Sequence, residues 1–211
     1  MEKSKSKYKS VESSKSYSYY VFHKPFGVLC QFTPETPGQK CLRDYLTIES
    51  DVYPIGRLDK DSEGLLLLSN DKRLNHQILS PEKFIVKTYC CQVEGQIKPE
   101  AISLLLKGLQ VRIKKQWLFL KAVKIDILEK DPEFQARVPP IRMRIHQPVS
   151  WIKIGIAEGK NHQVRKMLAA AGFPVLRLIR SAIGNLSLGA LPPGDYRQIS
   201  LKEIEKKVMA E

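Results

Sequence analysis

Hydrophobic and polar positions alternate in short blocks along most of the chain. Tyr19-Tyr20-Val21-Phe22 opens the ordered pattern as an aromatic and β-branched strand. Pro25 and Gly27 turn the chain, and Val28 to Phe32 reads as a second strand. A polar loop bounded by Gly56 and Gly64 feeds Leu65 to Ser69, a continuous apolar run that predicts a buried central strand. Leu74, Ile78 and Leu79 have helical spacing, and Pro81 stops that helix. Thr88 to Val93 alternates as a strand. Pro99, Leu104 to Leu106 and Gly108 bracket a short helix. Trp117 to Ile127 reads as a further pair of strands. Lys130 to Pro148, with Pro132, Pro139 and Pro140, reads as a long surface loop. Ile152, Ile154 and Ile156 mark a strand over Trp151 to Ala157.

The clearest local structure is a helix over His162 to Ala171, closed by Gly172. Val164, Met167, Leu168 and Ala171 share one face at i, i+3, i+4 and i+7. Strands resume at Val175 to Ile179 and near Tyr196 to Ile199. There is no internal repeat. Strands dominate, helices stand apart, and βαβ regularity is weak, so the pattern predicts an α+β fold rather than a doubly wound sheet. Residues 1–18 carry five Lys, two Glu and seven Ser with little apolar surface, which predicts a disordered basic tail. Such a tail suits either contact with nucleic-acid phosphates or a solubilising or targeting extension.

Charge narrows the class of partner. The 211 residues hold 35 Lys+Arg against 22 Asp+Glu, a net charge of +13, and a small soluble chain of that sign points to a polyanion, most often nucleic acid. No apolar run approaches the roughly 18–20 residues of a spanning helix, and residues 1–18 lack the apolar stretch of a secretory signal. The four cysteines show no C-x-x-C spacing. Free thiols in a reducing compartment fit better than a zinc site or a disulfide framework.

Four constellations could carry chemistry. In GRLDKDSEG, Asp59 sits in a glycine-bounded loop beside Arg57 and just before a buried strand. A carboxylate so presented suits covalent or electrostatic work at a sugar carbon, although turn residues with a surface arginine would look the same. Gly159-Lys160-Asn161 precedes a helix whose first turn adds donors, an arrangement that binds anions such as phosphate; an ordinary solvated basic helix start is the alternative. Tyr89, within a strand, could stack on a base or sit in the core. Leu176 to Arg180 alternates apolar and basic and could line a groove with cations. His162 lacks a second histidine or cysteine at ligand spacing, so no metal site is expected.

Taken in order, these pieces resemble the RsuA-type branch of the RNA pseudouridine synthases. The resemblance rests on HKPFGV (His23 to Val28), GRLDKDSEGLLLLSND (Gly56 to Asp71), KTY (Lys87 to Tyr89) and EGKNHQVRKM (Glu158 to Met167) followed by GFPVLRLIRSAIGNLSL (Gly172 to Leu188). It covers roughly Tyr19 to Ser200. It implies a mixed, mostly antiparallel sheet with flanking helices and a central RNA-binding cleft. The catalytic domain would span residues 19–205, with no separate N-terminal RNA-binding domain of ribosomal-protein type. The implied activity is isomerisation of uridine to pseudouridine, most consistently in 23S rRNA; another rRNA site, a tRNA, or a non-catalytic role in ribosome assembly are the alternatives. The reaction has no redox change and no net hydrolysis, so no cofactor or metal is implied. A cytoplasmic monomer is expected.

The same resemblance assigns roles residue by residue. Asp59 matches the catalytic aspartate, and Arg165 matches a basic partner expected to hold it in an ion pair. Tyr89 would pack against the target uracil, and Leu176 would form the apolar floor beneath it. Arg57 would help hold the flipped nucleotide. Lys24, Lys160, Asn161, Arg177 and Arg180 would contact phosphates. Lys160 and His162 stand where arginines are usual, and Lys166 replaces another.

Overall fold

The structure is a computed structural model that describes residues 16–141 and 147–209. Its frame is a nine-stranded sheet. Along one path the order is β11 (Tyr196–Gln198), β1 (Tyr19–Lys24), β3 (Glu63–Ser69), β9 (Val175–Ile183), β4 (Lys87–Glu94), β8 (Val149–Ile156) and β7 (Lys124–Leu128). The short strands β2 (Tyr53–Pro54) and β10 (Leu186–Ser187) pair with β3 and β9. Every pairing in this sheet is antiparallel except β3 with β9. The α+β class and the mostly antiparallel sheet therefore match the expectation.

The all-apolar run of β3 has a direct cause. Side chains alternate between faces of a strand, and both faces of β3 are covered. Leu65 and Leu67 enter a core with Val21, Ile179 and Ile204. Leu66 and Leu68 enter a second core with Tyr20, Phe22 and Leu42. A third core gathers Tyr89, Cys91 and Leu178 from the sheet with Leu105 of α2 (Pro99–Lys107) and Val164, Met167 and Leu168 of α3 (Gln163–Ala170). β5 (Leu109–Ile113) and β6 (Gln116–Leu120) form a separate hairpin that packs its inner side into this third core. α1 (Arg73–Leu79) ends before Pro81 as expected, and a short α4 (Leu201–Ile204) continues into a wider turn over Glu205–Met209. No helix of the described residues is long and apolar enough to cross a membrane.

Two local expectations are corrected, and one element is added. Val28 to Phe32 is not a strand; its only ladder contact is a bridge between Leu29 and Cys41. The Lys24 ammonium takes the Val28 carbonyl at 2.7 Å, so a group that a ladder would use is already occupied. Trp117 to Ile127 does contain two strands, but β6 pairs with β5 and β7 with β8, so they belong to different sheets. β5 has clean alternation over only five residues between Gly108 and Lys114, and it escapes the sequence reading. The expected tail lies, for residues 1–15, outside the described residues. Ser18 is buried and hydrogen-bonded to Asn70 and Glu49, and Arg73 lies over the Tyr17 ring at 5.0 Å. The four cysteines are free thiols.

Candidate active site

One cleft of about 390 Å³ collects most of the chemistry-bearing residues. That is at the small end of the range for pockets that enclose a ligand. One wall is the loop from Gly56 to Ser62; the other runs from Gly159 into the start of α3; Tyr89 of β4 and Leu178 and Arg180 of β9 line it as well. Gly64 closes the loop onto the sheet. It has φ +108, and a Cβ there would stand 2.3 Å from the Arg180 carbonyl oxygen, so only glycine lets β3 approach β9 at this point.

Asp59 lines the cleft with its side chain 37% exposed, so it lies at the wall rather than in the interior. Its neighbour is His162, with Nδ1 at 3.5 Å from Oδ2. This corrects the expected Asp59–Arg165 pair. Arg165 turns instead to Asp61: Nε lies 3.0 Å from Oδ2, close enough for an ion pair but off the line of a hydrogen bond. Its other nitrogens donate to the Asp61 carbonyl at 2.7 Å and the Val175 carbonyl at 3.2 Å. Arg165 thus ties α3 to the loop two residues past Asp59. His162 holds the left-handed conformation (φ 51) at the start of α3, where its ring comes beside Asp59. Nothing in the sequence spacing distinguishes which of the two side chains, His162 or Arg165, meets which of the two aspartates.

The expected phosphate contacts divide into two groups. Lys160, Asn161, Arg57 and Arg180 line the cleft. Lys24 and Arg177 do not. Lys24 is fully buried and donates to the carbonyls of Pro25 at 3.0 Å, Val28 at 2.7 Å and Lys60 at 3.4 Å. Burial pushes its pKa down to about 8, against the pull of Cys30, Glu63, Asp61 and Asp59. It is a support under the Asp59 loop, reinforced by the Gly27 amide on the Lys60 carbonyl at 2.8 Å. Arg177 is spent on a buried bidentate pair with Glu63, at 2.9 and 2.8 Å, and on the Gln135 carbonyl at 2.9 Å.

Leu176 is not part of the cleft lining; Leu178, beyond the bulge at Leu176 on the same strand, is. Lys87 is a further lining residue that the sequence reading did not single out. Its ammonium lies 3.4 Å from the Ile78 carbonyl and 3.3 Å from that of Ala157, and burial, then the nearby Arg180, lowers its pKa to about 8. Two buried polar atoms of the lining lack a partner: Arg180 Nη2 and Ser62 Oγ. One ligand atom each of Asp59, Asp61 and His162 fall within 4.8 Å of one another, but Arg165 already supplies a cation at Asp61.

Comparison with known proteins gives a consistent result. Residues 18–170 match the family model described as RNA pseudouridylate synthase. The chain is 41% identical over 181 residues to the ribosomal large subunit pseudouridine synthase E of Vibrio parahaemolyticus, covering 86% of this chain and 73% of the relative. It is 40% identical over 178 residues to the protein of the same name from Xanthomonas campestris, covering 84% and 92%. A crystal structure of a pseudouridylate synthase superposes with a TM-score of 0.74 at 27% identity, covering 93% of this chain and 76% of that one.

Proposed function

This chain belongs to the RNA pseudouridylate synthase family, enzymes that isomerise uridine within RNA, and on that premise we propose that it modifies a uridine of 23S rRNA with Asp59 as its catalytic group. With rRNA as substrate it works in the cytoplasm, as a monomer. The observation that carries the site assignment is the meeting of Asp59, Tyr89, Leu178 and Arg180 in one cleft.

The chemistry follows from those groups. A uridine reaches the cleft only after leaving its stack, which costs on the order of a few kcal/mol. Lys160 and Asn161 on the rim hold its phosphates. Tyr89 and Leu178 pack against one face of the uracil, and Arg180 and Ser62 donate to its oxygens. Asp59 acts on the ribose, either at C1′ or by taking the 2′ proton. The C1′–N1 bond breaks, the base turns while held, and C1′ bonds to C5. The C5 proton leaves and N1 ends protonated, so atoms balance without a co-reactant.

Tritium release from RNA carrying 5-³H-uridine, with carbodiimide primer extension on 23S rRNA, tests this reading. Stoichiometric release and one new stop are expected. Tight RNA binding without release would reduce the protein to a binder, and free uracil as product would make it a hydrolase.

A further inference from the structure

The β5–β6 hairpin lies outside the main sheet, and its two faces differ sharply. Leu109, Val111, Ile113 and Leu120 point inward to the core around α3. The outer face carries Trp117 and Phe119, 66% and 60% exposed, directly opposite Arg112 and Gln110. A solvated strand face ordinarily takes polar residues there. The two rings stand on one side of one strand, about 7 Å apart along it.

The surroundings are rich in cations. Lys107, Arg112, Lys114, Lys115 and Lys121 are all exposed, and residues 101–125 contain no Asp or Glu. None of the five forms an ion pair among the described residues. Lys114 forms the turn with φ +56, a conformation that favours glycine or asparagine, yet a lysine stands there. Exposed aromatics interleaved with unpaired cations are the recognition chemistry of single-stranded nucleic acid: rings stack on bases and ammonium groups neutralise phosphates. The cleft uses none of these residues.

We propose that this hairpin is a second RNA-binding surface, which stacks unpaired bases of the substrate on Trp117 and Phe119 outside the cleft that takes the target uridine. The proposal rests on the RNA-isomerase reading and extends it. It accounts for how a small cleft that takes one nucleotide gains affinity for a large RNA.

The full-length protein is its own reporter, because it has two tryptophans and Trp151 is 7% exposed. A short oligouridylate should quench the Trp117 emission. Polarisation of the fluorescein-tagged oligomer should show W117A/F119A binding at least roughly tenfold more weakly at fixed salt. K114E/K115E, at an exposed turn that tolerates change, should bind weakly too and lower the salt slope by about 1 to 2. Both variants should release tritium within about twofold of wild type at saturating RNA. Unchanged binding in both variants, or an unquenched wild type that still releases tritium, overturns this inference alone. An oligoglutamate peptide that competes as well as the RNA overturns it in favour of a protein partner. Loss of tritium release in the wild type would instead remove the functional reading beneath it.

Discussion

The two walls of the cleft are built on opposite principles. The loop wall, from Gly56 to Ser62, stands on buried structure: Lys24 and the Gly27 amide grip the Lys60 carbonyl, Ser62 donates its amide to the Asp59 carbonyl, and Gly64 presses β3 against β9. The helix wall, from Gly159 into α3, is largely solvated, with Lys160 and Asn161 exposed. Its closure is local, through Gln163 on the Lys160 backbone. Arg165 is the cross-brace between them. On the proposed assignment, the catalytic carboxylate Asp59 sits on the wall with the buried support and the phosphate grip on the solvated one. This is the division expected when chemistry needs fixed geometry and binding needs charge and reach.

Changes at the loop wall should act on rate alone, and the largest effect is at Asp59. Asp59→Asn keeps the shape and the rim cations. RNA affinity should stay within about threefold, while single-turnover pseudouridine formation falls by roughly 10⁴-fold or more. A variant that loses binding and rate together would merge the two walls into one unit.

Arg177 and Arg180 sharpen the contrast from within one strand. Both are 6% exposed and lie three residues apart, so they point to opposite faces. Arg177 is saturated by Glu63 and Gln135; Arg180 gives Nε to the Leu65 carbonyl at 2.7 Å, lines the cleft and leaves Nη2 buried without a partner. Arg177→Met strands a buried carboxylate and should cost about 3–5 kcal/mol in urea unfolding. Arg180→Met should cost about 1–2 kcal/mol and fall mainly on turnover. Equal stability losses would mean that the unpartnered nitrogen is not set aside for a ligand.

Those two arginines also show where the sequence stops being legible. The alternation of Leu176 to Arg180 announces a strand with cations, and the GRLD, KTY and helix-start segments announce a shared site. The cleft contains Asp59, Arg57, Tyr89, Lys160, Asn161 and Arg180. What spacing does not reveal is whose donors are already taken. Arg177 meets Glu63 across 114 residues of chain, and Lys24 meets the Lys60 carbonyl across 36. Such partners exist only once β1, β3 and β9 have assembled. The same is true of register: moving two residues along β9 exchanges Leu176 for Leu178 in the lining.

The support beneath the loop wall should betray itself by titration. Lys24 has a pKa near 8 in the fold, and an ordinary lysine in the unfolded chain titrates near 10.4. Between those values the unfolded state binds more protons, so this group makes the fold more stable as pH rises and less stable as pH falls toward 8. Below about 8 both states are protonated and the penalty, about 3 kcal/mol, is constant. Lysine ¹³Cε spectra should show two midpoints near pH 8, for Lys24 and Lys87. Lys24→Met should remove one of them and flatten the wild type's gain in stability between pH 8 and 10.5. Midpoints above 10 would place the Lys24 amine in water and detach it from the loop.

The smallest expected effect tests whether the helix wall reaches into the chemistry at all. His162 touches Asp59 at 3.5 Å, with side chains 40% and 37% exposed, so solvent screens the contact and its worth is modest. It also fills a left-handed backbone position that asparagine tolerates well. His162→Asn therefore keeps the helix start and removes the imidazole. If the ring orients the carboxylate, kcat should fall about tenfold or less while KM and the unfolding midpoint hold, because Lys160, Asn161 and the α3 packing are untouched. His162→Arg should restore most of the rate, since a guanidinium can reach the same oxygen. A rise in KM with kcat unchanged would instead assign His162 to the phosphate grip. The boundary between the two walls would then fall between Asp59 and its nearest neighbour.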